Sequence, residues 1–97
     1  MTNCKRIDFK KSAEKFLKSR PRKEQIRILT KIHKLPGGEH IRKMEGYENR
    51  YRLRVGDFRV IYDIYSEKNV ESDSDITILV ILVVEIGNRG DVYKNVQ

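Results

Sequence analysis

Metal-ligand spacing and a disulfide framework are both missing from this 97-residue sequence, and no leader peptide is expected. Its single cysteine, Cys4, excludes an internal disulfide and fits a reducing, cytoplasmic compartment. Neither histidine, His33 nor His40, has a Cys, His or carboxylate partner at ligand spacing, so no metal site is expected. Charges recur from Lys5 onward, which leaves no N-terminal apolar stretch before a cleavage site. The longest apolar run, Ile76 to Ile86, is broken by Thr77 and Glu85. It is about half the length of a membrane-spanning helix, so a soluble chain with no membrane partner is expected. No repeat, low-complexity tract, phosphate-binding glycine loop, Ser-His-Asp or Cys-His pairing, or carboxylate pair stands out.

What the chain has in excess is positive charge. The net charge is +7 and the pI about 9.7, which favours a polyanionic partner over a neutral one. Residues 1–34 carry 12 Lys and Arg against Asp8, Glu14 and Glu24, whereas residues 66–75 carry Glu67, Glu71, Asp73 and Asp75 against Lys68. Hydrophobic and charged residues make up 38% and 36%. That balance gives one domain, residues 1–97, with a modest core and a heavily solvated surface.

Along the chain, Lys5 to Phe9 reads as a short strand and Asp8 as the cap of a helix over about Lys10 to Ser19. Ala13, Phe16 and Leu17 form its single apolar stripe. Pro21 suits the first position of a second helix, with Ile28, Leu29, Ile32 and Leu35 on one face and Pro36-Gly37-Gly38 as its stop. Residues 37–49 read as a polar connector anchored by Met44 and Tyr47, and residues 66–75 as an acidic loop. Ile76 to Ile86 reads as a central strand buried on both faces, ending in a Gly87–Asp91 turn. Helices followed by strands give an α+β fold. An N-terminal strand and a two-helix hairpin are expected to pack on a mostly antiparallel, twisted sheet, with a short C-terminal tail.

The most informative stretch is Arg50 to Ile64, two alternating strands around Gly56-Asp57. Glycine first in a two-residue loop suits a type II′ turn. That turn pairs Val55 with Phe58, Leu53 with Val60 and Tyr51 with Tyr62, giving one apolar face. The other face carries Arg52, Arg54 and Arg59, with Arg54 directly opposite Arg59. Like charges opposed on a sheet are destabilising, so the cluster asks for an anion such as an RNA phosphate. Arginine alternation by itself also describes the solvated side of a half-covered sheet. Near the end, Arg89 and Tyr93 join this group if the buried strand lies beside the hairpin. There Tyr93, and to a lesser degree Tyr65, would stack on a base; Tyr93 reads equally as a clasp for the tail.

The stretch Tyr51-Arg-Leu-Arg-Val-Gly-Asp-Phe-Arg-Val-Ile-Tyr62, with Ile86-Gly-Asn-Arg-Gly-Asp-Val-Tyr93 and Lys43-Met-Glu-Gly46, resembles the RelE/ParE toxin superfamily. The resemblance implies a RelE-like fold and the toxin of a type II toxin–antitoxin pair. It implies a metal-independent endoribonuclease, an mRNA interferase, that cuts mRNA in the ribosomal A site by attack of a 2′-hydroxyl on the adjacent phosphate and needs no cofactor. Arg52, Arg54, Arg59, Arg89 and Tyr93 match its catalytic positions, with Arg52, Arg54 and Tyr65 binding RNA. Its partners would be a cognate antitoxin, in a heteromeric complex, and the ribosome with its mRNA. RelE itself has lysines where this chain has Arg52 and Arg54, and a histidine is frequent where it has Asn88. The competing readings are a non-enzymatic DNA gyrase inhibitor of the ParE type and a general RNA-binding domain.

Overall fold

The computed structural model describes residues 4–68 and 77–88. Within them the order is β1 (Cys4–Phe9), α1 (Lys11–Lys18), α2 (Arg22–His33), β2 (Ile41–Lys43), β3 (Arg50–Val55), β4 (Phe58–Lys68) and β5 (Thr77–Asn88). The strands build one sheet in the order β1-β5-β4-β3-β2. β1 runs parallel to β5, and the other three pairings are antiparallel. Two helices on a mostly antiparallel sheet make the fold α+β, as the element order implied.

Both helices cover one face of the sheet. Ala13 and Leu17 of α1 and Ile28 and Ile32 of α2 are buried against Leu53, Val55, Val60, Tyr62, Ile81, Val83 and Ile86. The i, i+4 spacing of the helix residues puts each pair on one stripe, and the period of two does the same for the strands. Burial of these aliphatic side chains is the main stabilising term, at roughly 1.5–3 kcal/mol for each one fully removed from water.

Several local expectations are corrected. Asp8 does not cap α1: it lies in β1 opposite Leu82, and the cap position belongs to Lys10, which makes no side-chain capping bond. The parallel ladder runs on to Phe9, and Lys10 N donates to Val83 O at 2.9 Å, so the sheet takes the residues the cap would need. α2 ends at His33 rather than including Leu35. Lys5 of β1 donates to the carbonyls of both His33 and Leu35. It thereby satisfies acceptors at the helix C-terminus and sets a cation at the negative end of the helix dipole.

The connector is not free of strand. Ile41, Arg42 and Lys43 pair with Leu53, Arg52 and Tyr51 as the edge strand β2, a segment too short for its period to show in the sequence. Tyr47 is 36% exposed, so it is no core anchor. Ser66 and Glu67 belong to β4, not to a loop; residues 69–76 lie outside the described part. Gly87 and Asn88 continue β5 and pair with Arg59 and Phe58, so Gly87 is a strand glycine rather than a turn glycine. Val80 is fully buried on the face away from the helices and Ile81 on the face towards them, in agreement with a strand buried on both sides.

Candidate nucleic-acid interface

The hairpin has the register its turn dictates: Tyr51, Leu53 and Val55 pair with Tyr62, Val60 and Phe58, and Arg54 with Arg59. Gly56 has φ +58°, while His40 is the one non-glycine with positive φ among the described residues, so Asp57 does not share the left-handed conformation. That combination fits a type II′ turn and excludes type I′. Leu53, Val55, Phe58, Val60 and Tyr62 are buried under the helices. Arg50, Arg52 and Arg54 of β3 and Arg59, Asp63 and Tyr65 of β4 occupy the alternate positions, on the open face.

The three hairpin arginines are held differently. Arg54 is exposed and, with His40 and Gly56, lines a cavity of about 360 Å³. Arg52 is half-buried and pairs in register with Arg42 of β2. These two arginines share a cavity of about 290 Å³ with Lys43, Met44 and Glu45. Arg59, expected on the solvated face, is only 6% exposed. Its Nη1 donates to the carbonyls of Gly56 at 3.2 Å and Phe58 at 3.0 Å, which locks the guanidinium against the turn. The residue facing it across the ladder is Gly87, which puts no side chain in its way.

One further residue enters this face through an irregularity that no turn or glycine signal announces. Ile61 pairs with Glu85 but Tyr62 pairs with Val83, so Val84 is an extra residue in β5. A bulge of this kind reverses the alternation beyond it. Ile86 therefore joins Ile81 and Val83 in the core, and Glu85 turns to the open face in one row with Ile61, Arg52 and Arg42. At a strand spacing of about 4.8 Å, the Cα atoms of Glu85 and Arg52 are about 10 Å apart. Four strand carboxylates lie on this face. Asp63 pairs with Arg50, and Asp8 and Glu67 both pair with Arg6. Glu85 is half-buried and has no ion pair among the described residues. In the sequence it looks like an interruption of an apolar strand.

Further along the same face, Arg50 donates to both carboxylate oxygens of Asp63, at 2.7 and 3.0 Å. The hydrogen bond to Asp63 is the main cause that raises the Arg50 pKa. The Arg50 guanidinium also sits 4.7 Å from the ring centroid of Tyr47. Tyr65 stands at the open-face position two residues beyond Asp63 and is 37% exposed.

The condition set for Arg89 and Tyr93 was that their strand lie beside the hairpin, and β5 does pair with β4, its last residue Asn88 opposite Phe58 at the turn. Arg89 and Tyr93 themselves lie outside the described residues. Among the described residues no three His, Cys, Asp or Glu side chains come together as a metal site, and no helix is long and apolar enough to cross a membrane.

A strand, two helices and four strands, with the helix pair on one face of a mostly antiparallel sheet and arginines on the other, define a RelE-like fold, that of the RelE/ParE toxin superfamily. The chain is similar to a chain in the crystal structure of the RelB-RelE antitoxin-toxin complex from Methanococcus jannaschii. The TM-score is 0.64 and the identity 25%, covering 93% of this chain and 99% of that one. No family model and no curated protein matches the sequence.

Proposed function

We propose that this chain is the toxin of a toxin–antitoxin pair and a ribosome-dependent mRNA endonuclease that works without a metal. The single observation that carries this reading is the gathering of Arg42, Arg52, Arg54 and Arg59 on one face, two of the pairs in direct cross-strand register. Unfavourable as like charges, they become favourable once a phosphate lies among them.

In the proposed reaction the 2′-hydroxyl oxygen of one nucleotide attacks the adjacent phosphorus, and the bond from phosphorus to the 5′ oxygen breaks. The products are a 2′,3′-cyclic phosphate and a 5′-hydroxyl, the leaving 5′ oxygen taking its proton from water. Charge accumulates on the phosphorane-like transition state, where fixed guanidinium groups stabilise it in proportion to how little they must reorganise. Arg59, already fastened by two carbonyls, suits that task, with Arg52 and Arg54 binding the strand and Arg89 and Tyr93 completing the site. The hydroxyl must lose a proton, and arginine, already protonated at any relevant pH, cannot take it. Glu85 is a carboxylate on the same face that the described ion pairs leave unused, and we assign it the role of proton acceptor.

The fold similarity to a toxin solved with its antitoxin supports a cognate antitoxin for this chain as well. An acidic segment laid across the arginine face would neutralise the site it covers. The test is cleavage of mRNA on translating ribosomes, mapped by primer extension. Defined cuts that vanish in Arg52→Ala and Arg59→Ala support the reading; intact mRNA with blocked gyrase supercoiling supports a ParE-type activity instead.

A further inference from the structure

We propose that the cleft between Tyr47 and Tyr65 is a second nucleotide subsite, which takes a base of the unpaired RNA strand whose phosphates lie on Arg52 and Arg54. This rests on the RNA-binding reading above.

Large apolar side chains are exposed at only three described positions, Ile26, Tyr47 and Tyr65, and two of the three border the same cleft. Tyrosines recruited only for packing would be buried, as Tyr62 is. The cleft holds about 340 Å³ and is lined by Tyr47, Glu48, Asn49, Arg50, Asp63 and Tyr65. That volume is at the lower end of the range for small-ligand sites. Its walls combine aromatic rings with amide and carboxylate groups, the chemistry that stacks on a nucleobase and hydrogen-bonds its edge.

The cleft is also preorganised. Met44 N donates to Arg50 O at 2.9 Å and Ile64 N to Asn49 O at 3.0 Å, so both ends of the loop carrying Tyr47 are tied to the sheet. Gly46, with φ +85°, makes the turn between them. Asp63 fixes the Arg50 guanidinium and the guanidinium fixes the Tyr47 ring, leaving little ordering cost for binding. Arg50 pairs with Asp63 four residues along the ladder from Arg54 and Arg59, about 13 Å away on the same open face. An extended strand crosses that distance in a few nucleotides. Stacking tolerates any base, so the subsite would hold substrates in register without selecting a codon.

The experiment is fluorescence anisotropy at fixed low salt with a labelled RNA octanucleotide and dinucleotide, for wild type, Tyr47→Ala, Tyr65→Ala, the corresponding Phe variants, and Arg52→Ala/Arg54→Ala. Each tyrosine-to-alanine change is expected to weaken the octanucleotide about tenfold. The dinucleotide, too short to leave the arginines, is expected to bind unchanged, and phenylalanine to restore the octanucleotide. Full octanucleotide affinity in the alanine variants, with binding lost in the arginine variant, overturns the subsite and leaves the RNA reading intact. Equal loss for both oligonucleotides also overturns it, because it marks general damage. Unchanged octanucleotide affinity in the arginine variant removes the RNA reading and the subsite together.

Discussion

Arg54 and Arg59 face each other across the β3–β4 hairpin, and yet Arg54 is exposed while Arg59 is buried with Nη1 held by the carbonyls of Gly56 and Phe58. In the proposed reaction one captures a phosphate from solution and the other stands still while charge develops. The two should therefore fail differently. Arg54→Ala is expected to weaken RNA binding and to lower the slope of log affinity against log salt by about 0.7, the value for one phosphate contact on a single strand. Arg59→Ala is expected to lower the cleavage rate more than the affinity. Salt titrations of binding beside single-turnover cleavage separate the two.

Glu85→Gln keeps the shape of the side chain but removes the proposed proton acceptor. Cleavage is expected to fall by about 10²–10⁴-fold, with RNA affinity unchanged or improved. A variant as active as wild type removes Glu85 from the reaction.

How much of this was legible in the sequence differs from one element to the next. The hairpin register was, because Gly56-Asp57 admits few turns and a slip of one residue would turn Leu53 and Val60 to solvent. The helix stripes were, for the same reason of period. Asp8 misled because capping is a local signal, and the parallel ladder to Val83 overrode it. β2 was hidden because three residues carry no period. The burial of Arg59 was hidden because alternation gives the face of a residue but not how deeply its side chain is held. Glu85 was hidden because a bulge leaves no mark in Leu82-Val83-Val84-Glu85, and alternation carried through it puts every later residue on the wrong face.

Tyr62 is fully buried and stacked on Tyr51 at 5.7 Å, with a hydroxyl that has no hydrogen-bond partner among the described residues. An orphaned buried hydroxyl costs about 1–3 kcal/mol, so Tyr62→Phe is expected to be neutral or stabilising in urea denaturation. Burial pushes the phenol up to about 12 from 10.0. The folded phenol therefore keeps its proton where the unfolded chain has lost it. Its contribution to stability is complete below pH 10 and is lost as pH rises through 12, on the order of 2–3 kcal/mol. Wild type should lose stability over that window more steeply than Tyr62→Phe.

Gly56 takes φ +58° at the hairpin turn. Alanine there is expected to destabilise the protein by about 1–2 kcal/mol and to disturb Arg59, whose guanidinium leans on the Gly56 carbonyl. Thermal unfolding gives the first effect and cleavage rate the second. A substitution silent in both would mean that the turn does not hold the arginine.

The central claim is that the arginine face cuts RNA. Its most direct measurement is primer extension on an mRNA carried by actively translating ribosomes, with purified wild-type protein and the Arg52→Ala, Arg54→Ala and Arg59→Ala variants. Wild type is expected to give discrete cuts bearing 2′,3′-cyclic phosphate and 5′-hydroxyl ends, and each variant to give fewer or none. Full-length message after incubation with folded wild-type protein would contradict the account.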